Sequence, residues 1–494
     1  MKLHDLLLHT GIKCPDILKD TDITGISYDS RTIQRGNLFV CLRGRKTDGH
    51  AYADKAALGG AVAIISEKTL PLSGTPILVV EDSRRALAVI AANYYGHPHH
   101  SISLYGVTGT NGKTTVSYLI RSGLLAWGKP CGMTGTISYM VGDKEYPAER
   151  TTPESLDLQR IFAELKTSGI SCCVMEISSH ALQLGRIQDL LFEYSVFTNL
   201  SQDHMDFHKD EEEYYQTKKK LFNQTTKMGI INLDDHAGSR LFKELLHEGV
   251  PVRSFSITDS NADYYGEVKE MNEKGCCLSF RYEGSEVAEI KSSLVGRFSL
   301  HNILAAAGCL HSIGVPGEVV AAGIENIKGV PGRFEPVENS RGIPVIVDYA
   351  HTPDALEKVL ITASDIVKGR LLCVFGCGGD RDRSKRPLMG KVAGRYADYC
   401  IVTSDNPRTE DPRQITADIE EGLYETGCNY QVIDDRREAI QSAISMYRKG
   451  DLILVTGKGH ENYQIIGEEK KYFSDRETIL ELIDKEEKNT YGNN

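Results

Sequence analysis

Residues 105–116, YGVTGTNGKTTV, restrict the folds open to this chain more than any other stretch. They end as a phosphate-binding loop ends, in Gly112-Lys113-Thr114. The strict form of that loop has a glycine at 107, where this chain has Val107; the nearest glycines are Gly106 and Gly109. The flanks supply the context. The apolar run SISLYGVT leads in. The following TTVSYLIRSGLLAWGKP places Val116, Leu119, Ile120 and Leu124 on one helical face before Gly128-Lys129-Pro130 stops it. A strand joined to a helix through a glycine-rich turn aims backbone N–H groups and the positive end of the helix dipole at one point. Phosphate suits that point: Lys113 would neutralise its outer oxygens, and the Thr114 hydroxyl would reach a Mg²⁺. A plain strand-to-helix turn would explain a solvated lysine, but not the joint placement of Gly109, Gly112, Lys113 and Thr114.

The order of apolar run and then polar residues recurs along the 494 residues. SCCVMEIS, YSVFTNLS and MGIINLD follow the loop; IPVIVDYAH, RLLCVFGCGGD, ADYCIVTSDN and DLILVTGKGH come later, separated by helical patterns. Strands alternating with helices predict an α/β fold with mostly parallel sheets, whose ligands gather at the carboxyl ends of the strands. A chain of this length predicts two to four domains. Breaks at YYGHPHHS and at IKGVPGRFEP divide it into residues 1–98, 99–330 and 331–494.

Composition removes several classes of function. A net charge of −11 opposes nucleic-acid binding, which relies on a positive field. No stretch reaches the roughly 18 to 20 apolar residues of a membrane span, so no membrane insertion is expected. MKLHDLLLHTGIKCPD lacks the apolar core and cleavage site of a signal peptide. Twelve scattered cysteines without CxxC spacing predict reduced thiols in a cytoplasm, not disulfides or zinc. GCGGDRD resembles a dinucleotide fingerprint, but Arg381 stands where the last glycine belongs, which disfavours a dehydrogenase.

Glu176 closes the run CCVMEIS, and Asp203-His204 follow YSVFTNLS, so both are expected at the sheet edge that carries the loop. A carboxylate and an imidazole beside phosphates suit magnesium, which keeps waters and takes few protein ligands. His204 and His208 have the four-residue spacing of helical zinc ligands, yet no HExxH motif or cysteine accompanies them. Taken alone, His204 is more commonly a hydrogen-bonded structural histidine. In TKKKLF, Lys218, Lys219 and Lys220 fit a solvated helix face, and spacing singles out none of them.

In order along the chain come SYDSR, GTNGKTT, TTPE, MEISSHAL, FTNLSQDHMDFH, VPGRFE, DYAHTPD, GCGGDRDRSKRP, DNPRTEDP and GKGHENY. Over nearly its whole length the chain thereby resembles the Mur ligase family, ATP-dependent amide-forming enzymes of bacterial peptidoglycan synthesis. The family's own loop reads TGTNGKT, so the shifted glycine belongs to its pattern. The resemblance implies a UDP-binding N-terminal domain, a central P-loop ATPase-like domain and a C-terminal Rossmann-like domain that takes the amino acid. It implies that Gly109, Thr110, Asn111, Gly112, Lys113, Thr114 and Thr115 hold the ATP phosphates, with Asn302, Arg333 and Asp348 as further nucleotide contacts. Thr114, Glu176 and His204 would serve magnesium. Lys218 falls at the family's carbamylated lysine, where CO₂ turns an ammonium into a carboxylate-like anion; Lys219 is one step away in register. Lys113, Glu176, His204 and Lys218 form the implied catalytic set.

Ser30 would contact UDP, while Thr151, Thr152, Ser178, Ser179 and Arg186 would hold the UDP-N-acetylmuramoyl-dipeptide. In the family the motif Asp405-Asn406-Pro407-Arg408 accompanies meso-diaminopimelate, with Arg381, Gly457 and Glu461 completing the pocket. A planar guanidinium suits the second carboxylate that distinguishes this amino acid from lysine. From spacing alone, the motif equally fits an ordinary Asn-Pro turn. Ser299 stands where many relatives have asparagine, and Leu184 where some have glutamine. A monomer in the cytoplasm is expected. A kinase or hydrolase with a P-loop would need no C-terminal amino-acid pocket, and a nucleotide sensor should lack some of Lys113, Glu176 and His204; all three are present.

Overall fold

The computed structural model describes residues 1–44, 47–205 and 207–491, with side chains through residue 485. It forms two compact units. The first comprises Met1–Thr108, Pro130–Ser195 and Thr217–Met228; the second comprises Gly109–Lys129, Val196–Gln216 and Gly229–Asn494.

In the first unit, four parallel strands, Gly25–Ser27, Asn37–Val40, Ala63–Ser66 and Ile77–Val79, lie side by side in chain order. The two middle strands are buried at every residue, so they read as continuous apolar runs. Strand alternation sends Leu38, Val40 and Ile65 to one face, against Leu87 and Ile90 of the helix Ser83–Tyr95. Phe39, Cys41 and Ile64 pack on the other. Farther along, Ser103–Thr108 pairs in parallel with Cys172–Glu176 in the register Val107↔Glu176, and Cys172–Glu176 pairs in turn with Gly132–Thr134.

The second unit opens with the glycine-rich loop and the helix Lys113–Ala126. Val116, Leu119, Ile120 and Leu124 are completely buried, as their spacing predicts. Each contributes roughly 1.5–3 kcal/mol by leaving water. Gly123 lets the helix touch Gly317–Glu325: a Cβ on Gly323 would stand 2.5 Å from the Gly123 Cα.

Several segments depart from the parallel pairing expected of alternating strands and helices, among them the hairpin of Tyr463–Ile466 with Glu469–Tyr472. Ser138–Val141 and Lys144–Pro147 form an antiparallel hairpin in the first unit. Tyr264–Asn272, Gly275–Tyr282 and Ser285–Ser292 form an antiparallel meander in the second. The cause in the meander is local. Glu283 and Gly284 both have positive φ, +47° and +79°, the backbone of a two-residue turn whose twist matches that of its strands.

The carboxyl-terminal sheet has five parallel strands, in the order Val345–Asp348, Leu452–Thr456, Leu371–Phe375, Tyr399–Val402 and Asn429–Val432. Glu335–Pro336 pairs antiparallel on its edge. Leu371, Cys373 and Phe375 face Leu356 and Leu360, while Leu372 and Val374 face Ile440 and Ile479. Of these five, the strand that comes last in the chain, Leu452–Thr456, is inserted between the first two. Such a switch in strand order is where open α/β sheets bind ligands, at the strands' carboxyl ends.

Candidate active site

Both loop glycines are explained by what stands against them. Gly109 has φ +145°, and a Cβ there would collide with the Thr198 hydroxyl; Gly112 has φ +88°, and a Cβ there would collide with the Asn302 amide oxygen. Conformation and space both demand glycine. The loop is tied to the residues after the strand Phe192–Phe197. Thr198 Oγ1 and Asn199 Nδ2 donate to the Asn111 carbonyl at 2.6 and 3.1 Å, and Asn111 N–H donates to Asn199 Oδ1 at 3.0 Å. Asn111 Nδ2 and Ser201 Oγ both donate to Asp354, at 2.9 and 2.8 Å.

Lys113 bends back over its own loop, donating to the carbonyls of Gly109 and Thr110 at 3.0 and 2.8 Å. Arg333 Nη2 donates to the Thr114 hydroxyl at 3.0 Å, and its guanidinium lies 4.8 Å over the Tyr349 ring. Asp348, buried at its strand end, accepts from the N–H groups of Phe334 and Ala350, each at 2.6 Å. Burial raises its carboxyl above the usual carboxylate range, against the pull of Arg333. Thr115 and Asn302 are buried too. His204 has φ +57° and donates its N–H to Asp203 at 2.8 Å. Burial opposes ionisation of Asp203, but His204, His351 and Lys385 outweigh it and hold that carboxyl below its usual range. Burial, aided by Lys385, pushes His351 down to about 4.

At the carboxyl-terminal sheet, Asp405, Asn406 and Pro407 are buried and Arg408 is half-buried, so this is no solvated turn. Asn406 accepts from Ile465 N–H at 2.9 Å and donates to Glu461 at 2.8 Å. Arg408, at φ +54°, donates to the Gly379 carbonyl at 2.8 Å. A Cβ on Gly457, at φ +109°, would stand 2.5 Å from Asp405 Oδ2. Arg381 lies at the surface and donates to the Asp380 carbonyl at 3.2 Å. Glu461, expected to help complete the amino-acid pocket, already holds one ammonium: the buried Lys458 reaches it at 3.1 Å.

In the first unit, Glu176 is completely buried, its two oxygens accepting from Thr136 N–H and Oγ1 at 2.8 and 3.0 Å. Thr152 donates to the Glu176 carbonyl at 2.8 Å and accepts from Ser178 N–H at 3.0 Å. Arg186 donates to the Thr152 carbonyl at 3.0 Å and pairs with Glu154 at 3.0 Å. Arg84 and Arg150 also reach Glu154, each at 3.1 Å, so three guanidiniums face one buried carboxylate. Thr151 meets Thr136 at 3.1 Å, and Ser179 is buried at the start of a short helix. A cavity of about 550 Å³ is lined by Tyr28, Asp29, Arg31, Tyr139, Arg150 and Glu154, among others; Asp29 and Arg31 flank Ser30. Of the three consecutive lysines only Lys218 is buried, at 1% exposure.

Residues 22–95 match the Mur ligase family, catalytic domain; residues 107–310 match the Mur ligase middle domain; residues 332–459 match the Mur ligase, glutamate ligase domain. A UDP-N-acetylmuramoyl-L-alanyl-D-glutamate–2,6-diaminopimelate ligase of Alkaliphilus oremlandii is 44% identical over 489 residues, 98% of this chain and 99% of that protein. The chain belongs to the Mur ligase family. A Clostridioides difficile ligase of the same name is 42% identical over 98% of this chain and 100% of its own. A solved structure of a ligase of that name is 33% identical, with a TM-score of 0.66 over 96% of this chain and 98% of that one. A MurF ligase from Thermotoga maritima, 19% identical with a TM-score of 0.65 over 97% and 100%, shares the fold. This Mur ligase thus has the family's three-domain α/β fold and is an ATP-dependent, amide-forming ligase.

Sequence reading passed over three groups in this Mur ligase. Asp354 secures the phosphate loop, Lys458 occupies Glu461, and Glu154 gathers three arginines. Each lies inside a quoted motif, DYAHTPD, GKGHENY or TTPE, and its charge was the available signal. Ser299, the departure from the family's asparagine, donates to the Val295 carbonyl at 2.7 Å.

Proposed function

We propose that this Mur ligase adds meso-diaminopimelate to the D-glutamate of UDP-N-acetylmuramoyl-L-alanyl-D-glutamate, with ATP cleaved to ADP and phosphate, in the synthesis of peptidoglycan precursors. The full-length identity of 42 and 44% to ligases named for that reaction carries the reading. The enzyme works as a monomer in the cytoplasm, where all twelve cysteines stay free thiols.

ATP is held by residues 109–115, Asn302, Arg333 and Asp348. The fit is supported by the two glycines, whose missing Cβ atoms leave the loop backbone open to phosphate, and by the helix that starts at Lys113. Thr114, Glu176 and His204 suit magnesium, two of them hard oxygen donors; the carboxylate pinned by Thr136 keeps further lone pairs. The ion supplies neutralisation of phosphate charge. Lys218 carries the carbamate, and its burial sets it apart from Lys219 and Lys220.

A carboxylate is a poor acylating agent. The γ-phosphoryl group therefore passes to an oxygen of the D-glutamate side chain, and ADP leaves. The amine nitrogen of the amino acid attacks the acyl carbon, the bond to phosphate breaks, and the nitrogen gives up its extra proton. Lys113 exchanges its loop carbonyls for phosphate oxygens and stabilises charge in the transfer. Ser30 receives UDP beside the cavity, while Thr151, Thr152, Ser178, Ser179 and Arg186 hold the dipeptide. Three guanidiniums against Glu154 leave two positive charges for its anionic groups. Arg408 pairs with the distal carboxylate of diaminopimelate, Glu461 takes its distal ammonium alongside Lys458, and Arg381, Asp405, Asn406, Pro407 and Gly457 complete the pocket.

The test supplies purified enzyme with the UDP-linked dipeptide, ATP, Mg²⁺ and either meso-diaminopimelate or L-lysine, and weighs the product by mass spectrometry. Product from meso-diaminopimelate alone is expected. Preference for L-lysine would overturn the choice of amino acid.

A further inference from the structure

We propose that His97, His99 and His100 form a transition-metal site, for an ion of the zinc or nickel class, at the join between the helix Ser83–Tyr95 and the strand Ser103–Thr108. None of the three belongs to the nucleotide, dipeptide or amino-acid residues above. Each offers one ring nitrogen, and these atoms all lie within 4.8 Å of one another.

The backbone produces this convergence. Gly96 and His97 are both left-handed, at φ +71° and +51°, and His97 N–H closes the helix on the Ala92 carbonyl at 2.8 Å. The tight turn Pro98–Ser101 then brings the next two histidines back under the first. The His97 and His100 rings stack at 10° with centroids 5.3 Å apart, and the His99 centroid lies 4.3 Å from that of His100.

A second, independent observation concerns the ring of His99. Its Nδ1 meets the side-chain oxygen of the buried Gln159 at 3.0 Å. An amide oxygen only accepts, so Nδ1 carries the proton and Nε2 carries the lone pair. Histidines that ligate metals are held in this way, the second nitrogen donating to a carbonyl or carboxylate. Gln159 belongs to the helix Ser155–Thr167, which therefore fixes the ring from outside the turn.

The donor set decides the ion. Three imidazoles suit zinc, nickel or copper, whereas magnesium and calcium seek oxygen. Bonds of about 2.0–2.1 Å to one ion would draw the nitrogens to roughly 3.3 Å of one another. His100 is exposed and His97 partly so, which leaves both rings room to turn. The bound ion would brace the segment that leads from the four-stranded sheet into the phosphate-loop strand.

The test uses the full chain, stripped with chelator and free of nucleotide and magnesium. Zn²⁺ is titrated against a chromophoric chelator, and Co²⁺ absorption reports coordination. We expect one ion per chain with Kd below about 1 µM, weakened at least ~100-fold in His97→Ala/His99→Ala/His100→Ala. The single exposed change His100→Ala guards against misfolding of the triple variant and should weaken binding too. Gln159→Ala should weaken it about 10- to 100-fold. Zn²⁺ should raise the melting temperature of wild type and not of the triple variant, and ligation with saturating Mg²⁺ should be equal in both. Binding by wild type no tighter than by the triple variant would make this an adventitious surface cluster and overturn the proposal. Unchanged affinity in Gln159→Ala would remove the positioning role.

Discussion

Gly109→Ala asks whether the shape of the loop, and not its lysine alone, makes the nucleotide site. The new Cβ would collide with the Thr198 hydroxyl, with the Asn199 carbonyl oxygen and nitrogen at 3.0 and 3.1 Å behind it. Those backbone atoms cannot rotate away. Thr198 can, at the expense of its 2.6 Å bond to the Asn111 carbonyl, a net loss of about 0.5–1.5 kcal/mol. Holding alanine at a φ that glycine favours costs roughly 1–3 kcal/mol more. The total of about 1.5–4.5 kcal/mol is avoided if the loop leaves its cradle shape, so the cost falls on ATP. We expect kcat/KM for ATP to drop roughly 10- to 2,000-fold. Displacement of a fluorescent ATP analogue, steady-state kinetics and a melting curve together separate lost binding from lost folding. Thr198→Ala alone should cost only the hydrogen bond, because Asn199 Nδ2 still donates to Asn111. The double variant removes the collision but keeps the backbone strain, so the two changes should fall short of additivity by about 1 kcal/mol. A Gly109→Ala enzyme that binds ATP within threefold of wild type would refute this account of the loop.

Lys113→Ala should abolish phosphate release and ligation together; substantial ligation in that variant would remove the lysine from the transfer step. Lys218→Ala should lose activity that bicarbonate or a short carboxylic acid partly restores, and the same behaviour in Lys219→Ala instead would shift the carbamate by one residue. Arg408→Ala should raise the KM for meso-diaminopimelate at least ~10-fold, the effect of about 1.4 kcal/mol, with a much smaller change for ATP. Unaltered kinetics for the amino acid would exclude the guanidinium from its pocket. Glu154→Gln should lower the stability measured in urea by about 3 kcal/mol, the low end for a broken buried pair because Arg150 reaches solvent. A midpoint equal to that of wild type would show that the three arginines do not depend on this carboxylate.

The sequence by itself determined the features that depend on neighbours along the chain. Val116, Leu119, Ile120 and Leu124 recur at helical spacing, and all four are buried, because that periodicity is a property of one segment. The strands with polar residues at their carboxyl ends were legible for the same reason, and the ordered motifs led to the family. The antiparallel meander was not, since Glu283-Gly284 lacks the asparagine or aspartate that usually marks such a turn.

Tertiary structure alone decided why the loop needs glycine at 109 and 112, because Thr198 and Asn302 come from distant parts of the chain. It also decided that Asp354 holds Asn111, 243 residues away, and that Lys218, not Lys219 or Lys220, is enclosed. Lys458 pairs with Glu461 from only three residues away, but Asn406 joins the same carboxylate from another strand end. Propensity and periodicity act over a few residues, whereas each of these contacts depends on how strands register and helices pack. That packing selects which of many chemically competent side chains meet, and no local pattern encodes the choice.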